Sequence, residues 1–239
     1  MLTDYPWGDE VLVQVHALAP VLLKLRVPGW ASNASVAIDA AAPQRAPPAR
    51  YFHVRCAGGV TTRVALSLHP EIRVERGWGA SDAGAEADAA VVVRGPLLFA
   101  LPLDEETAEL HAPWACFEHG CAQDLSVTSS SPWNYALVLP PGAPAAAMRF
   151  ERTGPPSRVP FASGGGGAAV RIHAAGRRVP SWGTDPLFAK SAAVPPRSPL
   201  ACSSAGSQGS VECGPIESLT LVPFGATRLR VAMFPWAES

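Results

Sequence analysis

Short apolar runs that alternate with polar residues, and that Pro or Gly cuts before they reach helix length, constrain this chain more than any other feature. In Val21-Leu22-Leu23-Lys24-Leu25-Arg26-Val27 the odd positions are all apolar, Lys24 and Arg26 lie on the other face, and Pro28-Gly29 ends the run. A period of two sends successive side chains to opposite faces, so this is a half-buried strand. Val11, Val13 and Val15 alternate similarly behind the Gly8-Asp9 turn signal, and the two strands could pair. Further short runs at 35–39, 51–55, 62–68 and 71–75 follow at the spacing of a sandwich or barrel. Residues 91–101 form two strand pieces separated by Gly95-Pro96. Pro96 has no N–H to give a ladder, so that kink belongs at an edge or bulge.

The most helix-like window, 104–111, is about two turns long and poorly capped, which makes it a linker with some local helix. A second strand series then runs through 125–128, 133–139, 148–151, 170–173, 218–222 and 227–231, with Trp133, Tyr135, Leu137 and Leu139 on one face. The expected fold class is all-β: two consecutive antiparallel β-sandwich (jelly-roll-like) domains, 1–108 and 109–239. The second carries a long Pro-rich loop at about 174–217, which must wrap the sandwich or cover a partner, because passive loops of that length are uncommon in compact domains. The four glycines at 164–167 suit a hairpin tip, since no Lys-Ser/Thr pair follows to make a phosphate loop.

Composition excludes several classes. The 19 basic and 20 acidic residues give a net charge of −1, which leaves no overall basic field to hold nucleic acid. No apolar run approaches the ~18–20 residues that cross a bilayer, so no membrane span is expected. Residues 1–10 carry Asp4, Asp9 and Glu10 rather than a basic start and apolar core, so no signal peptide is visible and the compartment stays open. With 21 Gly and 25 Pro among 239 residues, the chain has many turns but stays below the ~25–30% that marks disorder.

Candidate chemistry is sparse. His111, Cys116, His119 and Cys121 put four metal-ligand side chains within eleven residues. Structural zinc sites usually draw pairs from separate elements, so this cluster is a weak metal candidate beside an ordinary polar insertion or a Cys116–Cys121 disulfide. Cys202 and Cys213 flank a Ser/Gly loop and either close it or remain free thiols, according to compartment. Cys56 suits a small buried hydrophobe. Asp104, Glu105 and Glu106 are adjacent in one segment, as in a solvated turn. Neither a Gly-x-Ser-x-Gly elbow nor a His-Glu-x-x-His helix is present. Among seven tryptophans, Trp30, Trp78, Trp133 and Trp182 lie beside Gly or Pro. They either plug the ends of sandwiches or offer faces to sugar rings; Trp30, Trp133 and Trp182 are the weak substrate-binding candidates.

The punctuation nevertheless has a pattern. Thr3-Asp4-Tyr5-Pro6-Trp7, Leu25-Arg26-Val27-Pro28-Gly29-Trp30-Ala31 and Arg94-Gly95-Pro96-Leu97-Leu98-Phe99-Ala100-Leu101 resemble the region that follows the catalytic domain in glycoside hydrolase family 127, which includes β-L-arabinofuranosidases. Ser131-Pro132-Trp133-Asn134-Tyr135, Val179-Pro180-Ser181-Trp182, Pro195-Pro196-Arg197-Ser198-Pro199 and Leu221-Val222-Pro223-Phe224-Gly225 resemble that family's C-terminal domain. Departures occur at Asp39-Ala40, where the family tends to have an Asn-Gly hairpin, and at Cys56-Ala57-Gly58-Gly59.

The resemblance implies middle and C-terminal β-sandwiches that brace a helical-barrel catalytic domain, which is absent from this chain. In the family that barrel carries a cysteine nucleophile beside a zinc held by cysteines and a glutamate. Zinc is therefore expected only there, no cofactor in this chain, and no catalytic residue is assigned. The cluster from His111 to Cys121 does not match the family's zinc motif. The expected partners are an upstream barrel, a second copy of the chain or carbohydrate, and the alternative function is a stand-alone carbohydrate-binding module using exposed tryptophans.

Overall fold

The computed structural model describes residues 1–78, 88–109, 125–156, 168–184, 192–204 and 209–239. Strands dominate; the helical elements among these residues are two 3-10 turns, Pro144–Ala147 and Phe224–Ala226. No helix among them is long and apolar enough to cross a membrane. The sequence places a domain boundary at 108/109; by density of contacts the chain groups as 1–72 with 93–97, and 73–92 with 98–239.

In the first unit the alternating runs become two facing layers. One sheet has the order Leu2–Thr3, Glu10–His16, Thr61–Ser67, Ser35–Ile38, Gln44–Arg45, and the other is the two-stranded ribbon of Val21–Val27 and Arg50–Cys56. The expected pairing of the first two long strands is not made. Glu10–His16 pairs antiparallel with Thr61–Ser67, and Val21–Val27 with Arg50–Cys56. The reason lies in the core: Val27, Val54 and Cys56 of the ribbon and Val36, Val64 and Leu66 of the sheet pack together as buried residues. Adjacent strands placed in opposite layers bury both apolar faces, which a single hairpin would leave half solvated.

The second unit is built on one large sheet in the order Trp236–Glu238, Tyr135–Leu139, Val170–Arg178, Ile216–Pro223, Leu97–Pro102, Ala89–Arg94, Ile72–Trp78. Val170–Arg178 buries alternate residues and takes two partners along one edge, Arg149–Arg152 beside its first half and Tyr135–Leu137 beside its end. All five residues of Tyr135–Leu139 are buried, as expected for a strand covered on both faces. The antiparallel expectation needs correction at two places: Tyr135–Leu139 pairs in parallel with Trp236–Glu238, and Cys202–Ser203 with Val211–Glu212. Phe99, Leu137, Leu139, Ile172, Leu221 and Phe234 are the large fully buried side chains.

Two further expectations change. Glu106–Glu109 lies in the window read as locally helical, yet it is a strand paired with Leu125–Thr128, because cross-strand partners override a weak helix propensity. The kink at Gly95-Pro96 is a two-residue turn between Ala89–Arg94 and Leu97–Pro102. Gly95 adopts φ +57° there, and Pro96 occupies a turn position that requires no ladder donor. The described part of the Pro-rich loop packs back on the second unit: Pro195, Ser198 and Leu200 are buried, and the Leu200 N–H donates to the Trp236 carbonyl at 2.8 Å. The glycine run 164–167 lies outside the described residues.

Candidate functional site

Asn134 organises the second unit's loop end. Its Nδ2 donates to the carbonyls of Val179 and Trp182 at 2.9 and 3.2 Å, which brings Trp182 beside Trp133. The two indoles meet edge to face, with centroids 5.0 Å apart and planes at 68°, the arrangement that the aromatic quadrupole favours. Trp182 is 4% exposed and its Nε1–H donates to the Ala193 carbonyl, so its ring is a packing element. Trp133 is half-buried and lines a cleft of about 710 Å³ together with Thr128, Ser129, Thr184 and Arg230.

The Arg230 guanidinium is already held. It lies 3.7 Å above the Phe224 ring, and its Nη1 donates to the carbonyls of Thr227 and Arg228. Ser129 Oγ is bonded to Ser131 Oγ at 3.1 Å. The described lining thus offers one aromatic wall, hydroxyls and a fixed cation, without a carboxylate. Glycoside hydrolysis uses a facing carboxyl pair, and the described lining supplies neither member.

Trp30 belongs to the first unit, where it packs half-buried against the core. Trp133 and Trp182 belong to the second unit. His111, Cys116, His119 and Cys121 lie outside the described residues, and among those described no group of three His, Cys, Asp or Glu side chains converges. Cys202 and Cys213 form a disulfide with Cα atoms 5.4 Å apart, while Cys56 is a buried free thiol. The disulfide borders a second hollow of about 920 Å³, which Arg177, Glu212 and Glu238 also line.

Two ionisable contacts in this unit shift one of the groups that make them. Glu151 accepts a hydrogen bond from His173 Nε2 across neighbouring strands, and that bond holds its carboxyl below the ordinary glutamate value. Arg149, on the same strand, lies 3.5 Å from the same carboxylate. Tyr135 donates to Glu217 Oε2 at 2.9 Å; burial raises its hydroxyl above the ordinary tyrosine value, and the bond to Glu217 raises it further. A raised value means that the folded chain holds this proton more tightly than the unfolded one. The stability it contributes is full below pH 10.0, the unfolded value, and is lost as pH rises through the folded value. Tyr135→Phe is expected to cost about 1 kcal/mol near neutral pH and to shrink the loss of stability under alkaline conditions, measured by thermal unfolding across pH.

Layered sheets with short connections define the class as a β-sandwich protein. Within that class, residues 1–69 match the family model "Beta-L-arabinofuranosidase, GH127 middle domain", and the resemblance to glycoside hydrolase family 127 stands on that match. Solved structures share the fold over the full length. A protein titled "Glycoside hydrolase" aligns with 99% of the chain at TM-score 0.57 and 16% identity. A GH127 β-L-arabinofuranosidase from Geobacillus stearothermophilus T6 aligns with all of it at TM-score 0.51 and 18% identity. A GH127 β-arabinofuranosidase does so at TM-score 0.52 and 14% identity. The chain spans 32%, 30% and 32% of these three proteins, so it corresponds to a part of a GH127-like architecture. No curated protein matches it in sequence.

The sequence singled out Trp133 and Trp182 but not Asn134, which brings them together, nor Thr128, Ser129, Thr184 and Arg230. Neutral hydroxyls in loops carry no periodicity. The one available signal was Asn134 lying between Trp133 and a buried strand, a common place for a side chain that satisfies loop carbonyls.

Proposed function

We propose that this chain is the noncatalytic β-sandwich portion of a family 127-like glycosidase and that it braces a helical-barrel catalytic domain. The observation that carries the reading is the coverage: essentially the whole chain superposes on about a third of each larger glycoside hydrolase, while its first 69 residues match the family's middle domain. Zinc and the nucleophile belong, on this reading, to the barrel. Carbohydrate binding through tryptophan is less supported, because Trp30 packs on a core and Trp182 is buried.

The test has two parts. The purified chain is expected to leave aryl β-L-arabinofuranosides uncleaved with or without added zinc, and mixing it with a GH127 catalytic barrel is expected to raise that barrel's thermal midpoint. Turnover by the chain itself that a single Cys substitution abolishes, or a barrel midpoint that does not respond, would overturn the proposal.

A further inference from the structure

The first unit's two-stranded ribbon carries an outer face whose charges are not paired among the described residues. In its register Leu22 stands opposite Arg55, Lys24 opposite His53, and Arg26 opposite Tyr51. All six are exposed, and none is acidic. Opposite charges across antiparallel strands stabilise an exposed face and like charges directly opposite destabilise it; in the second unit Glu151 meets His173 of the neighbouring strand in this way. Here the sequence supplies cations alone, on a chain whose net charge is −1. Among the described residues Lys24, Arg26, His53 and Arg55 make no ion pair.

The cationic face continues into an apolar end. The Gly59 N–H donates to the Ala17 carbonyl at 2.8 Å, and a Cβ on Gly58 would meet backbone atoms of Leu18 and Ala19 at 2.9 Å. These contacts tie together the two loops at the end of the ribbon where Val21 pairs with Cys56, and those loops carry Leu18, 95% exposed, and Val60, 54% exposed. On the ribbon face itself Leu22, 50% exposed, lies near that end and Tyr51, 59% exposed, near the other, with the Lys24 and His53 pair between them. Clustered exposed aliphatics mark interaction surfaces, and Tyr and Arg are the residues enriched in protein interfaces.

We infer that this face docks onto a protein surface in which carboxylates flank an apolar patch. Charge complementarity selects the carboxylates, and the aliphatic end selects a protein over a uniformly charged polymer. The inference rests on the reading that a partner domain exists, but it concerns only where such a partner sits.

Fluorescence anisotropy on the full chain tests it with three labelled probes: poly-L-glutamate, the copolymer poly(Glu,Tyr), and heparin. The copolymer is expected to bind most tightly, because it adds apolar contacts to the same carboxylates, and binding should weaken as salt rises. Replacing Lys24, Arg26 and Arg55 together with Glu should weaken it by about tenfold or more while circular dichroism is unchanged. Leu18→Ser with Val60→Ser should remove the advantage of the copolymer over poly-L-glutamate. Equal binding by the charge-reversed chain, no binding of either glutamate probe, or tighter binding of heparin than of the copolymer would overturn the inference. None of these outcomes touches the bracing test, which reads the stability of the barrel.

Discussion

Phe234→Ala is expected to lower the unfolding free energy by about 4 kcal/mol, the middle of the range for deleting a buried aromatic ring. Phe234 is 0% exposed, and its backbone exchanges two hydrogen bonds with Ala90, N to O at 2.9 and 2.8 Å. That bridge fixes the Cα of Phe234 against Ala89–Arg94, so the neighbouring backbone has little freedom to close over the missing ring. A cavity that stays open adds its own cost to the lost transfer energy. Phe234→Leu keeps most of the volume and should cost less than half as much. Urea unfolding followed by tryptophan fluorescence measures both; a loss below about 1 kcal/mol for the alanine variant would show that the site collapses and that the ring is not part of the core.

What could be read from sequence was the local alternation. The expected run Val21–Val27 is a strand with those bounds, and the runs at 35–39, 51–55 and 62–68 are strands within a residue of expectation at each end. Burial of one face sets this pattern residue by residue, so it is written locally. Pairing was not, because the partner of Val21–Val27 lies across a 22-residue connection and is chosen by a core assembled from both layers. Glu106–Glu109 failed for a related reason. Its acidic, alanine-containing sequence suits a short helix, and only the distant Leu125–Thr128 makes it a strand.

The candidate site shows the same division. Trp133 and Trp182 stood out because Pro and Gly flank them, but their edge-to-face contact spans 49 positions and depends on Asn134 bonding two carbonyls from Val179 and Trp182. Their exposure was equally hidden, since a tryptophan beside a turn either closes a core or faces solvent and the flanking residues are the same in both cases. The disulfide between Cys202 and Cys213 was one of two states left open, and the fold settles it by a short parallel pairing of 202–203 with 211–212, Cys202 aligned to Val211 and Ser203 to Glu212, which brings the two segments side by side.

Asp9→Ala is expected to destabilise the first unit by about 2 kcal/mol, within the range for hydrogen bonds made to a charged group. Arg94 is 8% exposed, and its Nη2 reaches both carboxylate oxygens of Asp9, at 3.1 and 3.0 Å. The Asp9 carbonyl meanwhile accepts from the Leu68 N–H at 2.8 Å, so the residue also ties the start of Glu10–His16 to the segment beyond Thr61–Ser67. Alanine keeps that backbone bond and removes the carboxylate alone, leaving a guanidinium charge that the fold has taken out of water. Because Arg94 is buried, the cost should depend less on salt than that of the Arg73–Glu75 pair, whose side chains are 40% and 43% exposed. Removing the charge as well should recover much of the loss: Asp9→Ala combined with Arg94→Met should be less destabilised than Asp9→Ala alone, a non-additivity of about 1–3 kcal/mol in a double-mutant cycle. Simple additivity of the two substitutions in urea unfolding would mean that the pair is not coupled, and that Arg94 is stabilised by its other surroundings.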